Sequence, residues 1–246
     1  MKRIAAFTLV TGAALAVGCR QHAAPAPPPV WTPGTAYATP ATPVYRGFFD
    51  RRGLIHSHNI HSHDACDGNP TDPDSGLPNT QCFADFREDY CKSMHDFVFM
   101  TDHPATFDTT EYPDTMLYEA GSGDQLQMRN GAPVANRLTC PDGRTPLIIP
   151  GTEGDNLMAV GLEQHVGDAG TRTAIYGTTT LPADFPGNTA VVTNTIQVEQ
   201  ANGAVVVVAH PEGLSQEQLA TYPIDGFEMY NLHANALLTA LSLIHI

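Results

Sequence analysis

Four short apolar runs in this chain end on side chains able to bind a metal ion. That recurrence constrains the fold more than any bulk property. Gly53-Leu54-Ile55 leads into His56-Ser57-His58, and Asp96-Phe97-Val98-Phe99-Met100 leads into Thr101-Asp102-His103. Pro146-Leu147-Ile148-Ile149-Pro150 leads into Gly151-Thr152-Glu153, and Ala204-Val205-Val206-Val207-Val208-Ala209 leads into His210-Pro211. A fifth strand-like run, Ile224 to Tyr230, carries Glu228. Continuous runs rich in branched residues read as strands buried on both faces, as in parallel sheets.

The segments between the runs predict helices over about Ala84–His95 and Ser215–Tyr222, with Ser215 as N-cap. Strand, crossover helix and strand again is the logic of an α/β fold. In parallel α/β barrels the working residues gather at the C-terminal ends of the strands, where these polar residues fall. Residues 104–145 and 166–200 are rich in Gly, Thr, Asp and Pro and read as loops or insertions over the site.

The chain opens differently. Lys2 and Arg3 precede an apolar run from Ile4 to Gly18, too short to span a bilayer and typical of a secretory signal. It ends Leu15-Ala16-Val17-Gly18-Cys19, similar to a bacterial lipoprotein signal, in which the Cys is lipidated. Residues 1–19 are therefore expected to be a signal and 20–45 a Pro/Ala/Thr-rich linker. Residues 46–246 are expected to form one domain, exported to the periplasm or cell surface and held to a membrane through Cys19.

A formal net charge of -14 with only two lysines excludes a phosphate backbone as partner. It suits metal cations better. Beyond Cys19 lie Cys66, Cys82, Cys91 and Cys140. Their spacings include no close CxxC pair, so disulfides are expected rather than a zinc site. The pairing is open among three alternatives.

Each candidate has a chemical reason. His56 and His58 stand two apart, which on a strand puts both rings on one side, about 7 Å apart. Imidazole suits zinc, iron or manganese. Asp64 can hold a second ion beside the first, with His61 and His63 nearby. His103 is a candidate ligand, and Asp102 a residue that orients one. Glu153 can bridge two cations. His165 follows twelve residues later as a further site residue, and His210 ends the most apolar run.

The ordered set of His-x-His, Ser62-x-Asp64, Thr-Asp-His, Gly-x-Glu, a later His and His-Pro resembles the PHP (polymerase and histidinol phosphatase) superfamily, over about residues 46–235. The resemblance implies a distorted (β/α)7 TIM-like barrel with two or three divalent ions at the strand ends. It places His56, His58, Asp64, His103, Glu153, His210 and His165 on ligand positions. It implies a metal-dependent hydrolase acting on a small molecule such as a phosphoester, with His165 or His63 protonating the leaving oxygen and Asp102 supporting the site.

The segment Asp225-Gly226-Phe227-Glu228 resembles the strand that follows His-Pro in the family. A further Asp-x-His usual in the family does not follow His210. The chain stops at Leu243-Ile244-His245-Ile246, inside an apolar segment. The expectation is a truncated reading frame whose metal set is incomplete. Two rival readings are hydrolysis of an amide or carbamate by a PHP- or amidohydrolase-like site, with Lys92 the only lysine left for the bridging-lysine class and set on an expected helix that argues against it, and an exported metal-binding module without turnover.

Overall fold

The computed structural model describes residues 39, 44–72, 74–75, 77–154, 156–177, 189–211 and 214–228. The expected signal, Cys19, most of the linker and the segment after Glu228, including the apolar C-terminal residues, lie outside the described residues. No helix among the described residues is long and apolar enough to cross a membrane.

The architecture is mixed α/β around one curled, half-barrel sheet of eight strands. In chain order the strands are β1 (Gly53–Leu54), β2 (Phe97–Asp102), β3 (Gln125–Arg129), β4 (Ala132–Arg137), β5 (Leu147–Glu153), β6 (Leu157–Val160), β7 (Val205–Val208) and β8 (Gly226–Phe227). The helices are α1 (Thr80–Lys92), α2 (Pro104–Phe107), α3 (Ala169–Tyr176), α4 (Thr189–Ala201) and α5 (Gln216–Thr221). All five expected runs carry strands, and both expected helices form. Asn79 caps α1 by accepting from the Cys82 amide, and Ser215 closes a capping box with Gln218 on α5.

The sheet order is β1-β2-β5-β6-β7-β8, with β4 pairing the start of β5 and β3 pairing β4. β1, β2 and β5 are parallel. β6 is antiparallel to both neighbours, so β7 and β8 again run in the direction of β5. This departs from an all-parallel sheet, and the reason is chain length. Only residues 154–156 separate β5 from β6, and a parallel return needs a crossover of a dozen or more residues.

Two regions expected to be loops carry regular structure. Residues 104–145 contain the β3–β4 hairpin, whose Asn130-Gly131 tip has φ of 52° and 83°, as a type I′ turn demands. Residues 166–200 contain α3 and most of α4.

The core has two main parts on the helix-covered side of the sheet. Val98, Met100 and Ile148 pack with Tyr90 and Cys91 of α1 and with Met116, Leu117 and Leu138. Leu157, Ala159, Val206 and Val208 pack with Val192 and Ile196 of α4 and with Ile175 and Tyr176 of α3. Two disulfides brace the first part, Cys66–Cys82 and Cys91–Cys140. They join the loop after β1 to the start of α1, and the end of α1 to the segment after β4.

Behind the first part, Asp124 accepts from both Arg87 terminal nitrogens, the Asn136 amide and the Thr139 backbone. Burial pushes this carboxyl up, but those donors outweigh it and hold it at about 2.

Candidate metal centre

Because β1, β2, β5, β7 and β8 share one direction, their C-terminal ends line one edge of the sheet. His56, His103, Glu153, His210 and Glu228 stand on that edge, from five separate strands. β1 is only two residues long, so His56 and His58 sit just beyond it. The chain bends at Ile55–His56 and is held to β2 beyond the bend, where the Thr101 amide donates to the Ser57 carbonyl at 2.7 Å. The His56 and His58 rings lie 5.1 Å apart between centroids.

Three donor atoms converge at the centre. His56 Nε2 and His58 Nε2 each lie 2.7 Å from Glu153 Oε2 and 3.2 Å from each other. Edges of this size let one ion sit at roughly 2.0–2.2 Å from all three atoms. Around this triangle the donors fall into overlapping groups, each with ligand atoms within 4.8 Å: His56, His58 and Glu153; His56, His210 and Glu228; His58, Asp64 and His103.

Electrostatics match the geometry. Burial opposes charge on both rings, but the carboxylates outweigh it. Glu153 and Glu228 raise His56, and Glu153 and Asp64 raise His58 to about 9. Burial alone would raise Glu153, yet its two imidazole partners bring it to about 2. Asp64 is likewise brought to about 2, against burial, by Ser62 and His58. Glu153 is fully buried and its Oε1 has no hydrogen-bond partner. A buried carboxylate oxygen left bare is costly, and His210 Nε2 is 3.7 Å from it. Imidazoles and carboxylates, with one oxygen unspent, fit divalent ions of the zinc, manganese or iron kind.

The surroundings fix ligand orientation. His103 Nδ1 donates to the Glu153 carbonyl at 2.9 Å, which leaves Nε2 facing Asp64 Oδ2 at 3.6 Å. His58 Nδ1 donates to Asp64 at 2.9 Å. His56 Nδ1 donates to Glu228 Oε1 at 2.7 Å, and the other Glu228 oxygen accepts the His210 amide at 3.3 Å. Carboxylates and carbonyls behind a ligating His set its tautomer and angle. His210 itself adopts φ 51°, a left-handed conformation that costs a non-glycine residue about 1–2 kcal/mol. It aims the ring back over His56, 5.3 Å away between centroids.

Asp102 stands behind the edge, fully buried. Its Oδ1 accepts the Asn59 amide at 2.6 Å, which ties the loop carrying His58 and Asp64 to β2. Burial raises its carboxyl to about 7. His63 is exposed, with its ring 4.8 Å from that of His103. His61 is buried, with Nε2 at 3.2 Å from the Asp114 carbonyl.

Of the seven residues that the sequence put on ligand positions, His165 is the one that joins none of the three donor groups, and His63 and Asp102 stand outside them too. His165 Nε2 donates to the Thr110 carbonyl at 2.8 Å, and its ring packs against Phe107 and Tyr112 at 5.0 and 5.2 Å. Burial lowers its pKa, and the Tyr176 hydroxyl lies 3.3 Å from Nδ1. In this structure it is a packed aromatic residue of the α3 side. Lys92, at the end of α1, is exposed and pairs with Glu88 at 2.7 Å, so it bridges no donors.

Glu228 is the residue whose part sequence reasoning missed. It was visible on the fifth run, but its partner His56 is 172 residues away in the chain. No family model, no curated protein and no solved structure matches this chain.

Proposed function

We propose that this chain is a metal-dependent hydrolase of the PHP type, acting on a small phosphoester. The observation that carries the reading is the buried Glu153 carboxylate, ringed by His56, His58 and His210 at the C-terminal edge of parallel strands, with one oxygen that accepts no hydrogen bond. His56, His58 and Glu153 would hold one ion, His58, Asp64 and His103 or His210 would extend the set, and Glu228 and Asp102 would brace it. Bound divalent ions would supply Lewis acidity toward a phosphoryl oxygen and would acidify water. Closure of the half-barrel into the family's seven-stranded barrel belongs to the same proposal.

The chain's own groups have separate tasks. Glu153 brings negative charge to the centre and balances more than one cation. His103, with its Nδ1 proton committed to a carbonyl, presents Nε2 in a fixed direction. His63, exposed beside His103, is placed to hand a proton to a departing oxygen at the rim.

The test is metal analysis of the purified chain, followed by assays on p-nitrophenyl phosphate, its bis-ester and a panel of amides and carbamates. Phosphoester turnover that is lost in His56→Ala and Glu153→Ala supports the reading. Turnover that survives both substitutions rejects it. Amide or carbamate turnover alone would redirect the substrate class, and bound metal with no turnover would favour a binding module.

A further inference from the structure

The opposite end of the sheet carries a different chemistry. Residues 44–52 read Val-Tyr-Arg-Gly-Phe-Phe-Asp-Arg-Arg. Tyr45 and Phe48 exchange backbone hydrogen bonds at 3.0 and 2.9 Å. Arg46 and Gly47 at the tip have φ of 51° and 83°, the sign pattern of a type I′ turn. This tight turn holds its rings in water: Tyr45, Phe48 and Phe49 are 66, 76 and 66 % exposed. Three large rings exposed within five residues form a contiguous apolar patch, which marks an interaction surface rather than scatter.

The segment is also net cationic, in a chain that is otherwise strongly acidic: Arg46, Arg51 and Arg52 outnumber its one carboxylate, the exposed Asp50. The Arg46 guanidinium lies 5.1 Å from the Tyr45 ring centre, and that of Arg51 lies 5.5 Å from the Phe49 ring centre. Among the described residues, the arginines that pair with carboxylates are Arg87, Arg129 and Arg144. Arg46 and Arg51 are not among them.

Beside the turn lies a cavity of about 490 Å³ whose lining includes Arg51, Arg137, Arg144 and His95. Asp96 is its one acidic side chain, and it is already engaged by the Thr39 hydroxyl and the Arg52 amide. The lining includes Phe97 and Leu147, the first residues of β2 and β5. The cavity therefore opens at the N-terminal edge of the sheet, away from the metal donors.

We propose that the turn around Tyr45–Arg52 and the adjoining arginine-lined cavity form a docking face for a bilayer containing anionic phospholipid. Aromatic rings and arginines side by side are the side chains that settle at the level of lipid headgroups, with rings toward the acyl boundary and guanidiniums on phosphates. Charge complementarity selects this occupant. A neutral apolar partner would leave Arg46 and Arg51 without counter-ions, and a free anion would leave the rings in water. Thr39 lines the same cavity. Docking here leaves the C-terminal edge of β2 roughly 17 Å farther from the bilayer, from five residue steps at about 3.3 Å. The metal donors then face the aqueous side. The proposal does not depend on metal or on turnover.

The test places an indole at the tip. Phe48→Trp is made in the full chain with Trp31→Phe, which removes the only native tryptophan, and with Cys19→Ala, which removes the candidate acylation site. Vesicles are phosphatidylcholine with about one-third phosphatidylglycerol, an anionic surface of the kind that attracts basic segments, and a parallel set carries bromine on the upper acyl chain. Docking predicts a blue shift of the indole and quenching by the brominated lipid.

The second measurement is vesicle flotation of the Cys19→Ala chain. Arg46→Gln and Arg51→Gln should each lower binding to the anionic vesicles by about fivefold. Phe48→Ser with Phe49→Ser should weaken it further. An unshifted, unquenched indole overturns the proposal whatever the rest of the chain does. Flotation indifferent to the four substitutions overturns it too. Dimerisation without vesicles that the Ser pair abolishes would assign the patch to a second copy instead.

Discussion

Glu228 offers the sharpest test of the metal centre, because two roles for it predict different magnitudes. In the structure it holds His56 Nδ1 at 2.7 Å and the His210 amide at 3.3 Å, with its side chain 16 % exposed. If it orients His56, Glu228→Ala removes one charge-assisted hydrogen bond, worth about 1.5–3 kcal/mol. Residues behind a metal-ligating His typically cost about 10–100-fold in metal affinity when changed, and the two ranges agree.

Glu228→Gln keeps an acceptor without the charge. It should recover roughly half of that loss in free energy, since a neutral hydrogen bond is worth about 1 kcal/mol. If Glu228 is itself a ligand, with His56 and His210, both substitutions should cost far more than 100-fold, and Gln should rescue little. The assay is a zinc titration against a chromophoric chelator at fixed pH and salt, with Asp225→Asn as a neighbouring control. Unchanged affinity in Glu228→Ala would refute both roles and break the link between the fifth strand and the centre.

Other outcomes follow from the frame around the site. Asp124→Ala strips the half-buried Arg87 and the buried Asn136 of their shared acceptor and should cost about 3 kcal/mol in denaturant unfolding. The same carboxyl, held near 2 when folded against an ordinary value of 3.8, contributes stability that is complete above pH 3.8. After allowance for solvent screening this is about 1–2 kcal/mol, lost as the pH falls from about 4 toward 2; a stability–pH curve of Asp124→Asn should lack that step.

Breaking Cys66–Cys82 by Cys→Ser at both positions frees a loop of sixteen residues, at about 3 kcal/mol on a chain-entropy view. It should also weaken metal binding measurably, because Asp64 is two residues from Cys66. Gly151→Ala puts a methyl onto the Ala159 carbonyl and should destabilise by about 1–3 kcal/mol, read as a lower Tm. An unchanged Tm would contradict the close approach of β5 and β6.

How much of the site was legible depended on the range of each interaction. The run ending at Glu153 and the one ending at His103 announced both a strand and a candidate ligand, because apolar stretches and the polar residue closing them are neighbours in the chain. The Asn130-Gly131 turn was equally local and could have been read from the dipeptide, yet the surrounding polar composition hid the hairpin. Leu157–Val160 was too short to mark itself as a strand, and only its pairing with β5 and β7 defines it. His165 looked equivalent to His103 by residue type. The Phe107 and Tyr112 rings and the Thr110 carbonyl that hold His165 are what separate them, and such neighbours come from distant segments.

The amino-acid sequence by itself determined five of the eight described strands, most of the candidate donors, the acidic balance and the number of cysteines. These depend on residue type and on spacing along the chain. The tertiary structure decided which donors meet, which cysteines pair and which end of the sheet faces which chemistry. Strand order and register bring Glu153 within 2.7 Å of His56 across 97 residues, and Glu228 equally close across 172. No local pattern encodes such a meeting, because it exists only once the sheet has closed the distance.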